Sequence, residues 1–275
     1  MNTVHEAVRA VAAAERRKLP VPDQVRDAEA VRAAVARTVQ QPDPERPALP
    51  SDAADVEQVI SDHAAELQRA DLARRAASRF EEEADTAYVD AVRDAVPGWI
   101  TGLQKEFGNL VAVVRKAAAK LPAGLDQLDP KRLNWNNPTH TAAYTKAEGA
   151  AVQLEQLVSD RADIVKAAGG DGGRDNALFA VASLPDPTAE RVINDDWRQL
   201  SPTLATWRDL RQQPVARWVY LVRQEELALS LATPGEVRQR SVQVERWRDA
   251  GHARRSALTL AGGQAAVQQY LAETA

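Results

Sequence analysis

Apolar residues recur every three or four positions along most of the chain, which is the period of an amphipathic α-helix. Thr3 and Asp23 precede the first two such stretches, and both residue types favour a helix N-terminus. The apolar faces are Val4, Ala7, Val8 and Val11 in the first stretch, and Val25, Ala28, Val31, Val35 and Val39 in the second. We therefore predict two short antiparallel helices, which end at a proline-rich stretch, residues 42–50.

The longest stretch without a helix breaker runs from Ser51 to Val96, and its 46 residues include neither glycine nor proline. Ser51 or Asp52 can cap it, and as one helix it would measure about 69 Å. Its apolar stripe is Val56, Ile60, His63, Leu67, Ala70, Ala73, Ala77, Phe80, Ala84, Tyr88 and Ala91. This spacing is typical of a bundle or coiled-coil seam. Because the register shifts between Leu67 and Ala73, we expect antiparallel packing in a bundle.

Two more helices are predicted in the middle of the chain, before the glycine cluster Gly169–Gly173. Pro97 is expected to start the first or to kink the preceding helix, and Thr139 or Thr141 is expected to start the second. Their apolar faces are Ile100, Leu103, Phe107, Leu110, Val114 and Ala117, and then Ala147, Ala151, Leu154, Val158, Ala162 and Val165. Beyond the glycines, prolines divide a stretch that is richer in Trp and Arg into short helices. No segment shows a convincing strand alternation.

The fold class that follows is all-α. We expect an elongated helical bundle with a coiled-coil-like central region and a smaller, compact helical C-terminal region. The predicted segments are an N-terminal helical hairpin (1–41), a proline-rich linker (42–50), the elongated bundle (51–168), a glycine-rich linker (169–176) and the Trp- and Arg-containing region (177–275).

Composition indicates a thin core. Hydrophobic residues make up 44% of the 275 residues, but 52 of them are alanine, and aromatic residues are only 5%. An alanine methyl group buries little apolar area, so we expect helices to pack closely through small residues, also between subunits. The net charge of -4 gives no general attraction to nucleic acid. No secretory signal or membrane-spanning run is visible, and we expect a soluble, cytoplasmic protein or one built into an intracellularly assembled particle.

Most enzyme classes find no support in the motifs. The chain has no cysteine, which excludes disulfides, thiolate metal sites and a cysteine nucleophile. Its four histidines are scattered, and no zinc-protease, nucleophile-elbow, kinase or dinucleotide motif is present. The glycine cluster lacks the lysine and the hydroxyl of a phosphate-binding loop. We therefore predict no catalytic residue, no cofactor and no metal site.

Three sets of residues are candidates for binding. The seam of the long helix is a candidate protein-interaction surface through Ile60, Leu67, Phe80 and Tyr88. A basic cluster near the C-terminus can contact phosphates or a protein partner through Arg238, Arg240, Arg246, Trp247, Arg248, Arg254 and Arg255. A loop with amide, aromatic and imidazole groups can bind a small ligand through Trp135, Asn136 and His140.

The leading hypothesis is a non-enzymatic structural or assembly protein that acts through helix faces in a homo-oligomer or a larger complex. A component of a bacterial or phage particle would suit this architecture, as an analogy only. The alternative is a nucleic-acid-binding or regulatory module that uses the basic cluster. A second alternative is a helical enzyme with its site near Trp135 and His140.

Overall fold

The structure, a computed structural model, describes residues 3–172, 176–185, 187–194 and 200–274. Within these ranges it has eleven α-helices and one two-stranded sheet, which confirms the predicted all-α class. The helices are α1 Val4–Arg16, α2 Asp23–Val39, α3 Ala53–Ser78, α4 Glu81–Ala118, α5 Pro138–Lys166, α6 Asn176–Phe179, α7 Ala189–Ile193, α8 Leu200–Asp209, α9 Pro214–Val222, α10 Pro234–Arg255 and α11 Leu260–Glu273. The strands are β1 Ala182–Ser183 and β2 Ala228–Leu229, which pair antiparallel.

Two predicted helix starts are confirmed in atomic detail. At α1, the Thr3 hydroxyl accepts a hydrogen bond from the Glu6 main-chain N–H at 3.3 Å, and the Glu6 carboxylate accepts one from the Thr3 N–H at 3.0 Å. This reciprocal pair is a capping box. At α3, the Asp52 carboxylate accepts a hydrogen bond from the Ala54 N–H at 2.9 Å. Both contacts satisfy main-chain donors that a helix leaves without intrahelical partners.

The expectation of one helix from Ser51 to Val96 is wrong. Helix α3 ends at Ser78 and α4 begins at Glu81, although no glycine or proline separates them. The last turn of α3 tightens, with the Phe80 N–H donating to the Ala77 carbonyl at 2.9 Å. Three glutamates open α4, and negative charge in a first turn is stabilised by the helix dipole. That charge signal marks the start of a new helix where composition alone does not.

Two further boundaries differ from the sequence predictions. Of the two expectations for Pro97, the start of a new helix is wrong, because Pro97 lies inside α4, which continues to Ala118 and has 38 residues. Helix α5 begins at Pro138 rather than at Thr139 or Thr141, because the Asn137 side chain caps it. Proline fits the first turn of a helix, where its missing N–H costs no intrahelical bond.

The chain divides into two compact units, Met1–Ala95 and Val96–Ala275. The predicted five-segment organisation stays a prediction, and residues 173–175 of its glycine-rich linker lie outside the described residues. Within the described ranges, no helix combines the length and the hydropathy that crossing a bilayer requires.

The N-terminal unit has a core built mainly from small residues. The buried side chains come from α1, from the start of α2 and from the first turns of α4. They are Ala7, Ala10, Val11, Ala13, Ala14, Val25, Ala84, Tyr88, Val89, Val92 and Ala95. The Arg32 guanidinium lies 5.2 Å from the centre of the Tyr88 ring, and it faces Asp85 at 3.8 Å. Tyr88 is therefore the largest buried side chain in this unit and the centre of its core.

The C-terminal unit has a core with larger side chains. Helices α5 and α9 contact each other, and Trp218 of α9 packs edge-to-face against both Phe107 and Trp207, with ring centres 6.0 Å and 5.2 Å away. A second cluster joins α7, α10 and α11 through Val192, Trp247, Ala250 and Val267. Most of the apolar area that stabilises this chain is therefore buried here.

An extended segment, Ala228–Ala232, runs through this otherwise helical unit. It pairs with the segment that contains β1: Ser183 lies opposite Ala228, and the Ala232 N–H donates to the Ala180 carbonyl at 3.0 Å. Leu231 and Ala232 are buried. Buried main-chain polar groups need hydrogen-bond partners, and a strand cannot satisfy all of them internally as a helix does.

Side chains from three helices supply the missing partners. Gln104 of α4 accepts a hydrogen bond from the Leu231 N–H and donates one to the Leu231 carbonyl. Arg161 of α5 donates to the Ala232 carbonyl at 2.8 Å. Arg240 of α10 donates to the Ser230 carbonyl at 3.1 Å. The segment is thus held by one glutamine and two arginines.

The glycine cluster positions the counter-ion of Arg161. The Gly170 N–H donates to the Val165 carbonyl at 2.8 Å, and Gly169 and Gly170 have φ angles of 90° and 71°. These left-handed angles suit glycine and close the C-terminus of α5. The chain then turns back, so that Asp171 forms two hydrogen bonds of 2.7 and 2.8 Å with the Arg161 guanidinium.

Two other arginines, Arg217 and Arg223, also form hydrogen bonds within the C-terminal unit. Arg217 lies over the Trp207 ring at 3.6 Å and pairs with Glu155 at 3.0 Å. The Glu155 carboxylate also accepts the indole N–H of Trp218 at 2.8 Å. Arg223 donates to carbonyls at the C-terminal end of α4 and beyond it, those of Ala118, Leu121, Pro122 and Ala123. Burial lowers the pKa of both guanidinium groups, and for Arg217 the Glu155 charge opposes that shift.

Replacing Arg161 with methionine removes its hydrogen bonds to the Asp171 carboxylate and to the Ala232 carbonyl. We expect the free energy of unfolding of the C-terminal unit to fall by about 3–5 kcal/mol, as for a broken buried ion pair. All six tryptophans follow residue 95, so tryptophan fluorescence during urea unfolding reports on this unit.

Arg248→Met is the matched control, because Arg248 is exposed and pairs only with the neighbouring Glu245 in the described contacts. Its expected effect is below about 0.5 kcal/mol. A loss below about 1 kcal/mol for Arg161→Met, the size of an ordinary hydrogen bond, would contradict this role for Arg161.

Candidate functional site

Helix α3 is unusual because it packs without burying a residue. All of Ala53–Ser78 is described, and none of its 26 residues is buried. Its half-buried positions mark the one side that faces other parts of the chain, including α2. They are Val56, Val59, His63, Leu67, Ala70, Asp71, Arg74 and Ala77. This seam consists mostly of small or polar side chains, so it shields little apolar surface.

The side chain of Arg74 binds α3 to the start of the proline-rich stretch and to the residue before it. Arg74 donates to the Gln41 carbonyl at 3.1 Å and pairs with Asp43 at 2.7 Å. A neighbouring side of α3 has none of these partners among the contacts of the described chain, and its residues face solvent.

We call this exposed side the free face of α3. Its residues follow the helical spacing of three and four positions: Glu57, Ile60, Ala64, Gln68, Leu72 and Arg75. All six are exposed, and the two large apolar side chains, Ile60 and Leu72, are 62% and 56% exposed. A row at this spacing forms a ridge that can pack into the groove of a second helix.

Charge is segregated along α3. Residues 53–66 contain four acids and no lysine or arginine, a charge of -4. Residues 67–79 contain four arginines and one aspartate, a charge of +3. The free face ends in Glu57 on the acidic side and in Arg75 on the basic side, where Arg75 also pairs with Asp71 at 3.0 Å.

The structure separates the four predicted interaction residues. Ile60 lies on the free face, and Leu67 lies on the half-buried side of the same helix. Phe80 is 56% exposed between α3 and α4. Tyr88 is 1% exposed and belongs to the core of the N-terminal unit, so its side chain is not part of an exposed surface. Leu72 was missed, because the predicted seam passed through Ala70 and Ala73.

The basic cluster of α10 does not form one surface. Trp247 is buried, and its indole N–H donates to the Pro185 carbonyl at 2.9 Å. Arg240 points inward to the Phe179 carbonyl at 2.8 Å and to Ser230. Burial lowers the pKa of the Arg240 guanidinium, and the Glu236 charge opposes this shift. These two residues stabilise the fold.

Two of the remaining arginines line a single groove. Arg238 and Arg246 border a cavity of about 790 Å³, together with Ser183, Gln239 and Gln243. The Nε atom of Arg246 is buried and has no hydrogen-bond partner among the described residues. The groove therefore presents nitrogen donors from two arginines, which are the groups that bind phosphate or carboxylate.

The other three arginines of the cluster lie elsewhere on α10. Arg248 pairs with Glu245, and Arg255 contacts the His252 ring at 3.0 Å. Arg254 donates to the Val192 carbonyl at 3.4 Å, and with Arg255 it borders a separate cavity of about 310 Å³. Helical spacing distributes the cluster over the circumference of α10, which a count of arginines along the sequence does not reveal.

Most polar groups of the Trp135 loop that form hydrogen bonds do so with other residues of the same loop. The Trp135 indole N–H donates to the Pro130 carbonyl at 2.8 Å, and its ring packs edge-to-face on Tyr144 at 5.4 Å. The Asn136 N–H donates to the Asn134 side chain at 3.2 Å. The His140 Nδ1 atom is buried without a hydrogen-bond partner among the described residues. This arrangement gives the loop a structural role at the start of α5.

The buried arginines were missed, although Arg161 carries a visible signal. Leu154, Leu157, Arg161 and Ile164 follow one another at the helical spacing, which places an arginine on the apolar side of α5. Its partner Asp171 lies beyond the glycine turn, and a pairing across a turn is not readable from spacing.

Among the described residues, no group of three or more His, Asp and Glu side chains is placed to hold a metal ion. Comparison with protein-family models, with curated proteins and with solved structures finds no match for this chain. The geometry of the free face of α3 and of the arginine groove of α10 therefore carries the argument for what each surface binds.

Replacing Asn137 with alanine tests the structural role of the Trp135 loop. The Asn137 side chain accepts the N–H groups of Thr139 and His140 at 3.0 and 3.2 Å, and losing such a cap costs about 1 kcal/mol. Urea unfolding followed by tryptophan fluorescence measures this loss. The neighbouring Asn136→Ala is the control, with an expected change below about 0.5 kcal/mol. Equal effects of the two variants would contradict the capping role.

Proposed function

We propose that this chain is a non-enzymatic structural or assembly protein that binds other protein chains through α3. The observation that carries the proposal is that α3 has 26 residues and none of them is buried. Most helices in proteins are stabilised by burying one apolar side, and α3 has only a half-buried seam for this within its own chain.

The exposed residues support a protein partner. The free face combines Ile60 and Leu72 with a small residue and with charges at both ends. Burial of these two side chains on a partner contributes about 1.5–3 kcal/mol each. The small Ala64 between them allows a second helix to approach closely, and the charged ends determine how that helix is aligned.

A double variant of the free face tests this function. After cross-linking inside the cells that naturally make the protein, which preserves weak complexes on dilution, we expect the wild type to sediment as a complex larger than its own 30.0 kDa. Ile60→Asp together with Leu72→Asp replaces the apolar ridge by charges that a protein interface excludes, so the variant should sediment as the free chain.

Val152→Asp is the matched control, because Val152 is also an exposed apolar residue, at 54%, but lies on α5. It should leave the complex intact. Sedimentation of the wild type as a free chain, or of the double variant as an intact complex, would contradict the proposal.

The arginine groove supports a second candidate function, the binding of a nucleic acid or another polyanion. The observation in its favour is that Arg238 and Arg246 border the same cavity. The net charge of -4 of the whole chain opposes such binding, and Glu236 also borders the groove. The free face of α3 therefore supports the leading proposal, and the groove supports the alternative.

Salt-dependent binding to a nucleic acid tests the alternative. If both arginines contact phosphates, the double variant Arg238→Ala and Arg246→Ala reduces the slope of log K against log salt by about 2, one for each contact. Arg248→Ala is the control, because Arg248 pairs with Glu245. Binding that is weak at every salt concentration, or equal in both variants, removes this function.

A further inference from the structure

We infer that the partner of the free face is a second copy of this chain, with the two α3 helices packed antiparallel. This inference rests on the proposed function and names the partner of the same surface. The order of residues on the free face indicates which partner binds there. From Glu57 to Arg75 the order is an acid, an apolar residue, a small residue, a polar residue, an apolar residue and a base. When a second copy of the helix runs in the opposite direction, the acid of each copy therefore faces the base of the other.

The helical period makes the reversed pairing geometrically consistent. Glu57 and Arg75 are 18 positions apart, which is five turns of 3.6 residues, so both lie on the same side of α3. A two-fold axis at the height of residue 66, between Ala64 and Gln68 on the free face, then brings each residue level with one whose number adds with it to 132. Glu57 lies opposite Arg75, and Ile60 lies opposite Leu72.

The two-fold axis makes each favourable pair occur twice. In a symmetric dimer, if one residue of the first chain contacts a second residue of its partner, the second residue of the first chain also contacts the first residue of the partner. Ile60 then packs on Leu72 at two places, and Ala64 lies opposite Gln68 at two places near the axis. Glu57 meets Arg75 at both ends of the helix pair. The segregated charges, -4 in residues 53–66 and +3 in residues 67–79, attract each other along the whole length.

A parallel pair has the opposite electrostatics. It places Glu57 against Glu57 and Arg75 against Arg75, and it aligns the acidic halves with each other. Like charges at an interface are unfavourable. The charge order of α3 therefore selects the antiparallel arrangement, independently of the apolar contacts.

The contact between two helices is small, and it predicts reversible association. Interfaces below about 1,200 Å² are typical of weak and transient complexes. We expect purified protein to change from monomer to dimer between low micromolar and submillimolar concentration. Cross-linking is therefore more informative than chromatography at a single concentration.

Cysteine cross-linking on the full chain tests the arrangement. The chain contains no cysteine, so each introduced thiol is unique. Ile60→Cys protein and Leu72→Cys protein are treated with a short homobifunctional maleimide, separately and as an equimolar mixture. We expect a covalent dimer in the mixture and little in either protein alone, because two copies of the same position are about 18 Å apart along the antiparallel pair. Val152→Cys protein measures the background from random collisions, because Val152 is exposed on α5.

Charge reversal provides a second test that does not depend on thiol reactivity. Glu57→Arg alone and Arg75→Glu alone each bring like charges together at two places, and we expect the dimerisation constant to fall about tenfold, equivalent to about 1.4 kcal/mol. The double variant Glu57→Arg with Arg75→Glu restores opposite charges and should restore dimerisation. Glu226→Arg is the control, because Glu226 is also an exposed acid but lies outside α3.

The outcomes separate this inference from the proposed function. Efficient linkage of Ile60→Cys protein alone shows a parallel pair and overturns the inference, as does a double charge variant that stays monomeric. Absence of any linkage above background also overturns it. If the Ile60→Asp and Leu72→Asp variant nevertheless loses its complex in the cross-linked cells, the proposed function stands with a different protein as the partner. If that complex is also unaffected, both are wrong.

Discussion

The C-terminal unit depends on satisfying the main chain of one extended segment, Ala228–Ala232, whose last two residues are buried. Its N–H and C=O groups face either the short strand β1 or side chains of the surrounding helices. Gln104, Arg161 and Arg240 each bind a main-chain group of this segment. Because these side chains come from α4, α5 and α10, the segment joins three helices that are distant in sequence. The rigid guanidinium fork can donate to several acceptors at once: Arg161 binds a carbonyl and a carboxylate, and Arg240 binds two carbonyls and a hydroxyl.

A different constraint applies to the N-terminal unit, because its alanine and valine side chains bury only a small apolar area. Its core packs α1 closely against other elements through methyl groups, and Tyr88 is its largest buried side chain. Little apolar surface remains to cover α3, so that helix packs through a half-buried seam and leaves Ile60 and Leu72 in solvent. The same scarcity of large side chains that makes the core thin creates the surface that we propose for binding. The two units therefore differ in how they are stabilised and in what they expose.

Sequence patterns predicted the helices well where the signals are local. Thr3 and Asp52 cap their helices through side-chain contacts to nearby N–H groups, and such contacts need only the adjacent sequence. The break between Ser78 and Glu81 was missed because the stretch lacks glycine and proline, although three consecutive glutamates mark a helix start. The basic cluster near the C-terminus was read as one surface, yet Trp247 and Arg240 turn inward. A linear count of charges does not distinguish arginines that bind carbonyls from arginines that face a groove.

The sequence by itself determined the all-α class, the caps of α1 and α3, and the order of residues on the free face of α3, because helical periodicity and capping act over a few residues. The tertiary structure alone decided that Tyr88 is buried while Ile60 is exposed, although both lie on one apolar stripe. It also decided that Arg161 reaches Asp171 and Ala232. Burial depends on which elements meet in space, and the chain brings those elements together across separations that no local pattern encodes.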